Sequence, residues 1–227
     1  MKGVFVTGTG TEVGKTVVSV VIARMAATEG RSVKVFKPAL SGLDELADLR
    51  GREPGWDDAK LLADHQLLRL ASGSSQTDDE ISPYRFGPAV SPHLAAEMAD
   101  EWIEVEMIES RATEAMTGCD TFVCEGVGGF LVPLTPDYLI RDFAVFLDLP
   151  VVVVANPWLG TISDTLLTIE AIRNAGLQVV SVVMTPWPDS AGDLERSNRD
   201  TISRLGEVPV RELPLLDLRR PDEWPGV

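Results

Sequence analysis

The segment Gly8-Thr9-Gly10-Thr11-Glu12-Val13-Gly14-Lys15-Thr16 constrains this chain more than any other. It follows the short apolar run Val4–Thr7 and leads into Thr16–Glu29, where apolar residues recur at helical spacing up to Gly30. The first run reads as a buried strand ended by Gly8, and the second as a helix with glycine at its C′ position. A glycine-rich turn between a strand and a helix points backbone N–H groups inward, and the helix N-terminus adds positive potential. The segment is therefore a phosphate cradle. Lys15 has the reach for the β- and γ-phosphates of a nucleoside triphosphate, and the Thr16 hydroxyl suits Mg²⁺. The spacing departs from the strict pattern: the position five before Gly14 is Thr9, with Gly8 one residue too far and Gly10 one too near. A plain glycine-rich turn would not require Gly14-Lys15-Thr16 in this context.

The same alternation continues along the chain. Strands are expected at Ser32–Lys37, Thr121–Glu125, Pro150–Ala155, Val179–Met184 and Val208–Leu213, and helices at Trp102–Met116, Ser163–Asn174 and Asp193–Leu205. Ser41–Asp57 and Ser72–Pro92 are dense in loop-forming residues and read as insertions, with a short helix opening at Asp57-Asp58 over Ala59–Leu62. Strands alternating with helices predict an α/β fold, a mostly parallel sheet with helices on both faces. Ligands of such sheets bind beyond the C-terminal strand ends. With 227 residues, 44% of them hydrophobic, and no dividing linker, one domain over 1–227 is expected.

Several function classes are disfavoured. The formal net charge of −15 repels nucleic-acid backbones and anionic lipid, so neither is an expected partner. The N-terminal apolar stretch is too short for a signal peptide, and no run approaches the ~20 apolar residues of a membrane span. A cytoplasmic location is expected. Cys124 lies in an apolar strand and reads as a small buried hydrophobe. Cys119 is too near it along the chain for good disulfide geometry. With His65 and His93 the only histidines, a zinc site or a Cys/His nucleophile pair lacks material.

Two further strand ends carry charge. Alternation puts Val35 and Lys37 on one strand face, with Pro38 and then Ser41-Gly42 behind. Lys37 reads either as a solvated strand-end lysine or as a cation that neutralises an anionic substrate or a transferring phosphoryl group. Glu125 ends an apolar strand before Gly126-Val127-Gly128-Gly129. It either caps a turn or holds Mg²⁺, directly or through water. Asp57 and Asp58 are first-turn acids favoured by a helix dipole, or reach the same metal.

Taken together these segments resemble the dethiobiotin synthetases, P-loop enzymes that carry the same extra residue in the loop. The resemblance covers nearly the whole chain in order: the loop at 8–16, Lys37-Pro38 with Ser41-Gly42, Asp58 before Ala59, Ser91-Pro92-His93, Glu125 to Gly129, Leu159-Gly160-Thr161-Ile162 and Pro214-Leu215. It implies a single-domain P-loop NTPase fold and a ligase acting on a small-molecule diamine and CO₂. ATP or another nucleoside triphosphate is the co-substrate and Mg²⁺ the cofactor. One amine of 7,8-diaminononanoate becomes a carbamate, the carbamate attacks the γ-phosphate to give a carbamic–phosphoric anhydride, and the second amine closes the ureido ring. By matching position, Lys37, Lys15 and Thr11 are catalytic. Thr16, Asp58 and Glu125 hold the metal. Glu12, Val13, Gly14, Lys15, Thr16 and Val17 line the triphosphate, with Gly126, Val127 and Gly128 beside it. Pro214 and Leu215 sandwich the base, and Asp222 touches the ribose. Ser41, Gly160, Thr161 and Ser163 bind substrate, the last three from the partner of a homodimer. Two positions depart from the family pattern: Ser163 stands where asparagine is common, and Thr185-Pro186 stands where an asparagine reads adenine.

Rival readings fit less well. Partitioning and division-site switch ATPases carry a second lysine early in the loop, and positions 8–11 here are Gly-Thr-Gly-Thr. A cobyrinate-type amidoligase needs an attached glutaminase domain, for which the length is too small. A small-molecule kinase would transfer phosphate without closing a ring.

Overall fold

Strand side chains alternate between faces, and in the first strand both faces are apolar: Phe5 enters one core while Val4 and Val6 enter another. Such a strand is stable only inside a sheet covered on both sides. The computed structural model, which describes residues 3–52, 62–218 and 220, shows that arrangement.

The elements run β1 (Gly3–Gly8), α1 (Lys15–Thr28), β2 (Val33–Phe36), β3 (Ala39–Leu40), α2 (Leu43–Arg52), α3 (Asp64–Ser72) and α4 (Asp78–Ile81). They continue with β4 (Tyr84–Arg85), α5 (Pro92–Met98), α6 (Val105–Thr117), β5 (Thr121–Gly129), β6 (Pro133–Thr135), β7 (Tyr138–Leu139) and α7 (Ile140–Leu147). The chain closes with β8 (Val151–Ala155), α8 (Thr161–Asn174), β9 (Val179–Trp187), α9 (Asp193–Gly206) and β10 (Val210–Pro214).

Six strands form one sheet in the order β10-β9-β8-β1-β5-β2, with every neighbouring pair parallel. Helices α1 and α3 cover the Val4/Val6 face through Val18, Val21, Leu67 and Leu68. Helices α6, α7, α8 and α9 cover the Phe5 face through Ile108, Phe143, Ile169 and Ile202. Each such side chain contributes about 1.5–3 kcal/mol when removed from water. Cys124 is fully buried among them, as its apolar strand required.

Some local expectations are corrected. Ser41–Asp57 is not simply a loop, because α2 occupies Leu43–Arg52; Leu43, Leu46 and Ala47 stand at helical spacing, obscured by the flanking glycines and aspartates. Within the Ser72–Pro92 insertion, α4 and β4 form short ordered pieces. Helix α6 begins at Val105, leaving Trp102 outside it and 78% exposed. Helix α8 begins at Thr161 after an N-cap glycine, Gly160, at φ 99. Ser163 is therefore an exposed first-turn residue and does not open the helix. The helix expected over Ala59–Leu62 lies almost entirely outside the described residues, as do Asp57 and Asp58.

Candidate active site

Alternation along two strands brings opposite charges to one face. In β2, Val33 and Val35 enter the α1-side core, and Lys37 stands two residues further on. In β5, Val123 enters the same core and Glu125 follows two residues later, paired in register with Val6. Since β2 lies beside β5, both charged side chains emerge beneath the first turn of α1. There Lys37 Nζ donates to Glu125 Oε1 at 2.5 Å, and the Thr16 hydroxyl donates to the same oxygen at 2.8 Å. Helix α3 packs on α1 and adds its first residue: Lys37 Nζ also donates to Asp64 Oδ2 at 2.8 Å.

This environment excludes one of the two readings of Lys37. The residue is 3% exposed and Glu125 is fully buried, so Lys37 is not a solvated strand-end lysine. Burial opposes its charge, but the Asp64 and Glu125 carboxylates overturn that and raise its pKa above the ordinary lysine range. Burial likewise opposes ionisation of Asp64, and Lys37 beside it prevails, holding the carboxyl below its usual range. Lys15 is different. Burial, then the nearby Lys37 charge, lower its pKa to about 8, and its Nζ donates to the Gly10 carbonyl at 2.7 Å. One buried oxygen of this cluster, Glu125 Oε2, has no hydrogen-bond partner.

The phosphate loop has the shape its glycines allow. Gly14 adopts φ +95, and a Cβ there would lie 2.6 Å from Thr185 Cγ2. The loop is thus seated on the end of β9. Glu12 is exposed at φ 60, and Val13 is buried behind the loop.

Loop and charge cluster share one cavity of about 610 Å³. Thr11, Glu12, Gly14, Lys15, Thr16 and Val17 line it from the loop, and Lys37, Ser41, Glu125, Val127 and Gly128 from the strand ends. Gly126 does not line it, because its missing Cβ would face Phe5 and Ile140 in the opposite core. Gly160, Thr161 and Ser163 are also not among its lining residues. Thr185 is buried against Gly14, whereas Pro214, the last residue of β10, and Leu215 after it are exposed. Asp58 and Asp222 lie outside the described residues. Asp64 also lines the cavity and was missed in the sequence. Its signal was a first-turn acid ahead of Leu67, Leu68 and Ala71 at helical spacing.

Comparisons with known proteins give the family and the fold. A family model described as an AAA domain matches residues 2–217. ATP-dependent dethiobiotin synthetase BioD of Bacillus subtilis (strain 168) is 34% identical over 210 residues, 92% of this chain and 85% of that protein. The same-named protein of Bacillus licheniformis is 37% identical, over 92% of this chain and 84% of its own length. Among solved structures, the septum site-determining protein MinD of Pyrococcus horikoshii with Mg-ADP aligns at TM-score 0.54 and 15% identity, covering 93% of this chain and 80% of that one. A chain of the Aquifex aeolicus MinC:MinD cell division protein complex aligns at TM-score 0.58 and 14% identity, covering 97% and 86%. At such identities the structural likeness speaks for the fold alone. The sequence relatives are more than 30% identical over 92% of the chain, and the chain belongs to the dethiobiotin synthetase family.

Proposed function

We propose that this protein is a ligase that uses Mg²⁺ and a nucleoside triphosphate to carboxylate 7,8-diaminononanoate with CO₂ and close it to dethiobiotin, in biotin biosynthesis. The observation that carries the reading is the position of Lys37, a buried cation between Asp64 and Glu125 in the cavity that holds the phosphate loop. Relatives named ATP-dependent dethiobiotin synthetase support it.

The chemistry asks for positioning and charge neutralisation more than for a strong base. A site without histidine suits it. Lys37 neutralises charge on the carbamate and on the phosphoryl group that it attacks. Lys15 exchanges its Gly10 carbonyl for phosphate oxygens, and Thr11 orients the reacting end. The backbone from Glu12 to Val17 cradles the triphosphate, with Val127 and Gly128 alongside. Ser41 hydrogen-bonds the substrate. When bound, Mg²⁺ supplies positive charge to the β- and γ-phosphates. Thr16 and Glu125 would hold it, with Asp58 as the resemblance implies; Asp64 is a further carboxylate at the same place. The donors fit: two carboxylates and a hydroxyl, including the unpartnered Glu125 Oε2, are hard oxygens of the kind that Mg²⁺ takes together with substrate phosphates.

Thr185, Pro186, Pro214 and Leu215 form the base end of the site in this reading, and Asp222 meets the ribose. Gly160, Thr161 and Ser163, which do not line the cavity of their own chain, complete that of a second copy in a homodimer, a reading that rests on the family resemblance. Exposed Trp158 and Leu159 beside them suit such a contact. A cytoplasmic location goes with dependence on ATP. The test is mass analysis of the product formed from the diamine, bicarbonate, Mg²⁺ and ATP. Dethiobiotin is expected; ATP hydrolysis with the diamine unchanged overturns the reading.

A further inference from the structure

Among the described residues, six ionisable side chains line the cavity: Glu12, Lys15, Lys37, Glu45, Asp64 and Glu125. Five have a place already. Glu12 and Lys15 belong to the phosphate loop. Lys37, Asp64 and Glu125 form one hydrogen-bonded cluster. Glu45 belongs to neither group, and its carboxylate has no hydrogen bond or ion pair to any described residue.

Its position is well defined. Glu45 sits in the first turn of α2, and the start of that helix is strapped to the segment before Ala89. Gly42 N–H donates to the Pro88 carbonyl at 3.1 Å, and Asp44 N–H to the Gly87 carbonyl at 3.0 Å. A Cβ on Gly42 would touch Ala89 Cβ at 3.6 Å. The two segments build one wall of the cavity, with Leu40, Ala89 and Val90 as its apolar part.

A cavity with an apolar wall that carries an unpaired carboxylate suits an alkyl amine. Alkyl amines of the lysine type are protonated at neutral pH, with pKa about 10.4. A diamine entering this cavity carries positive charge toward Lys15 and Lys37, which repel it. Among the described residues, Asp64 and Glu125 pair with Lys37 and Glu12 lies on the phosphate loop, so Glu45 is the carboxylate on the apolar wall that can receive an ammonium. We propose that Glu45 is the ammonium-recognising residue of the diamine site, pairing with the amine that waits while the other is carboxylated. This rests on the reaction proposed above and adds a residue that sets substrate specificity within it.

The experiment measures kcat and diamine KM at saturating ATP and Mg²⁺ for the wild type, Glu45→Gln, Glu45→Asp and Glu45→Lys. Nucleotide Kd and melting temperature are measured in parallel. Glu45→Gln is expected to raise diamine KM by about tenfold or more, the loss of one charge-assisted hydrogen bond, with nucleotide Kd unchanged. Glu45→Asp should recover most of that loss, and Glu45→Lys should exceed it. Diamine KM should rise with ionic strength in the wild type and much less in Glu45→Gln. A lower melting temperature with diamine KM within twofold of wild type would reduce Glu45 to a helix-stabilising first-turn acid and overturn the assignment. A wild type that hydrolyses ATP but leaves the diamine unconverted overturns the reaction itself, and the assignment with it. That result is read from the wild type alone, so the two failures are distinct.

Discussion

Lys37 and Glu125, 88 residues apart in sequence, meet with 2.5 Å between Nζ and Oε1 inside the protein. The same Glu125 oxygen accepts the Thr16 hydroxyl at 2.8 Å, so one atom ties β2, β5 and the start of α1 together. A buried ion pair is weak evidence for stability, because desolvation offsets the attraction. What it does here is keep a cation charged and fixed beside a phosphate loop, while Glu125 Oε2 stays without a partner.

Lys37→Ala should lower turnover by on the order of 10²-fold or more, as for loss of a preorganised charge. Nucleotide binding should change little, since Lys15 and the loop amides carry it. The variant should also lose about 3–5 kcal/mol of stability, because Glu125 is left buried and uncompensated. A double variant, Lys37→Met with Glu125→Gln, should regain much of the melting temperature and none of the turnover. Near-normal turnover in Lys37→Ala would leave Lys37 only the role of a counterion.

Gly14→Ala should be damaging for two separable reasons. The backbone at φ +95 disfavours any side chain, at a cost of about 1–3 kcal/mol. The added methyl would also overlap Thr185 Cγ2 at 2.6 Å. Nucleotide affinity by calorimetry should fall, and Thr185→Ala in the same chain should restore it only in part. Full restoration would show that overlap alone, and not backbone strain, was the cause.

Lys15 makes nucleotide binding pH-dependent. Its pKa in the folded chain is about 8, against an ordinary 10.5. Below pH 8 the folded state bears a buried charge that the unfolded chain carries in water, so the lysine subtracts from stability. Between about 8 and 10.5 the folded state binds fewer protons than the unfolded state, and that penalty fades as pH rises. Affinity has the opposite trend: phosphate favours charged Lys15, so binding above pH 8 must take up a proton and weakens. Calorimetry in buffers of different ionisation enthalpy should detect that uptake at pH 9 and little at pH 7. Equal uptake at both would contradict the lowered pKa.

The nucleobase should be read poorly. Asparagine presents a donor and an acceptor to adenine, whereas Thr185 has one hydroxyl and is packed under Gly14, and Pro186 has no N–H. ATP is expected to work, with GTP, CTP and UTP also supporting turnover, since the loop at 8–16 is indifferent to the base. The measurement is kcat/KM for the four nucleotides at equal Mg²⁺. A preference for ATP above roughly 10³-fold would mean that other groups read adenine, as it exceeds what a hydrophobic slot discriminates.

Much of this was legible in the sequence. The loop at 8–16, the buried strands and their parallel order follow from glycine placement and from apolar runs such as Val151–Val154, which are local signals. Alternation alone assigned Lys37 to the face of Val35. It left open whether that face meets water or protein. The neighbour of a strand face depends on strand order, and β5 reaches β2 across more than 80 residues of chain. Helix α2 and the start of α8 were misjudged because loop-like composition concealed the one, and a left-handed glycine, rather than a side chain, capped the other.

The sequence by itself determined a phosphate-binding α/β chain with charged residues at its strand ends, because turn chemistry and side-chain period act within a few residues. Only the tertiary structure decided that Lys37 is buried, that Asp64 joins Glu125 beside it, and that Glu45 faces the same cavity. Each of these depends on the packing of α3 against α1 or on the strapping of α2 to residues 86–88. Contacts between segments so far apart are chosen by burial of the whole core, and no local pattern records them.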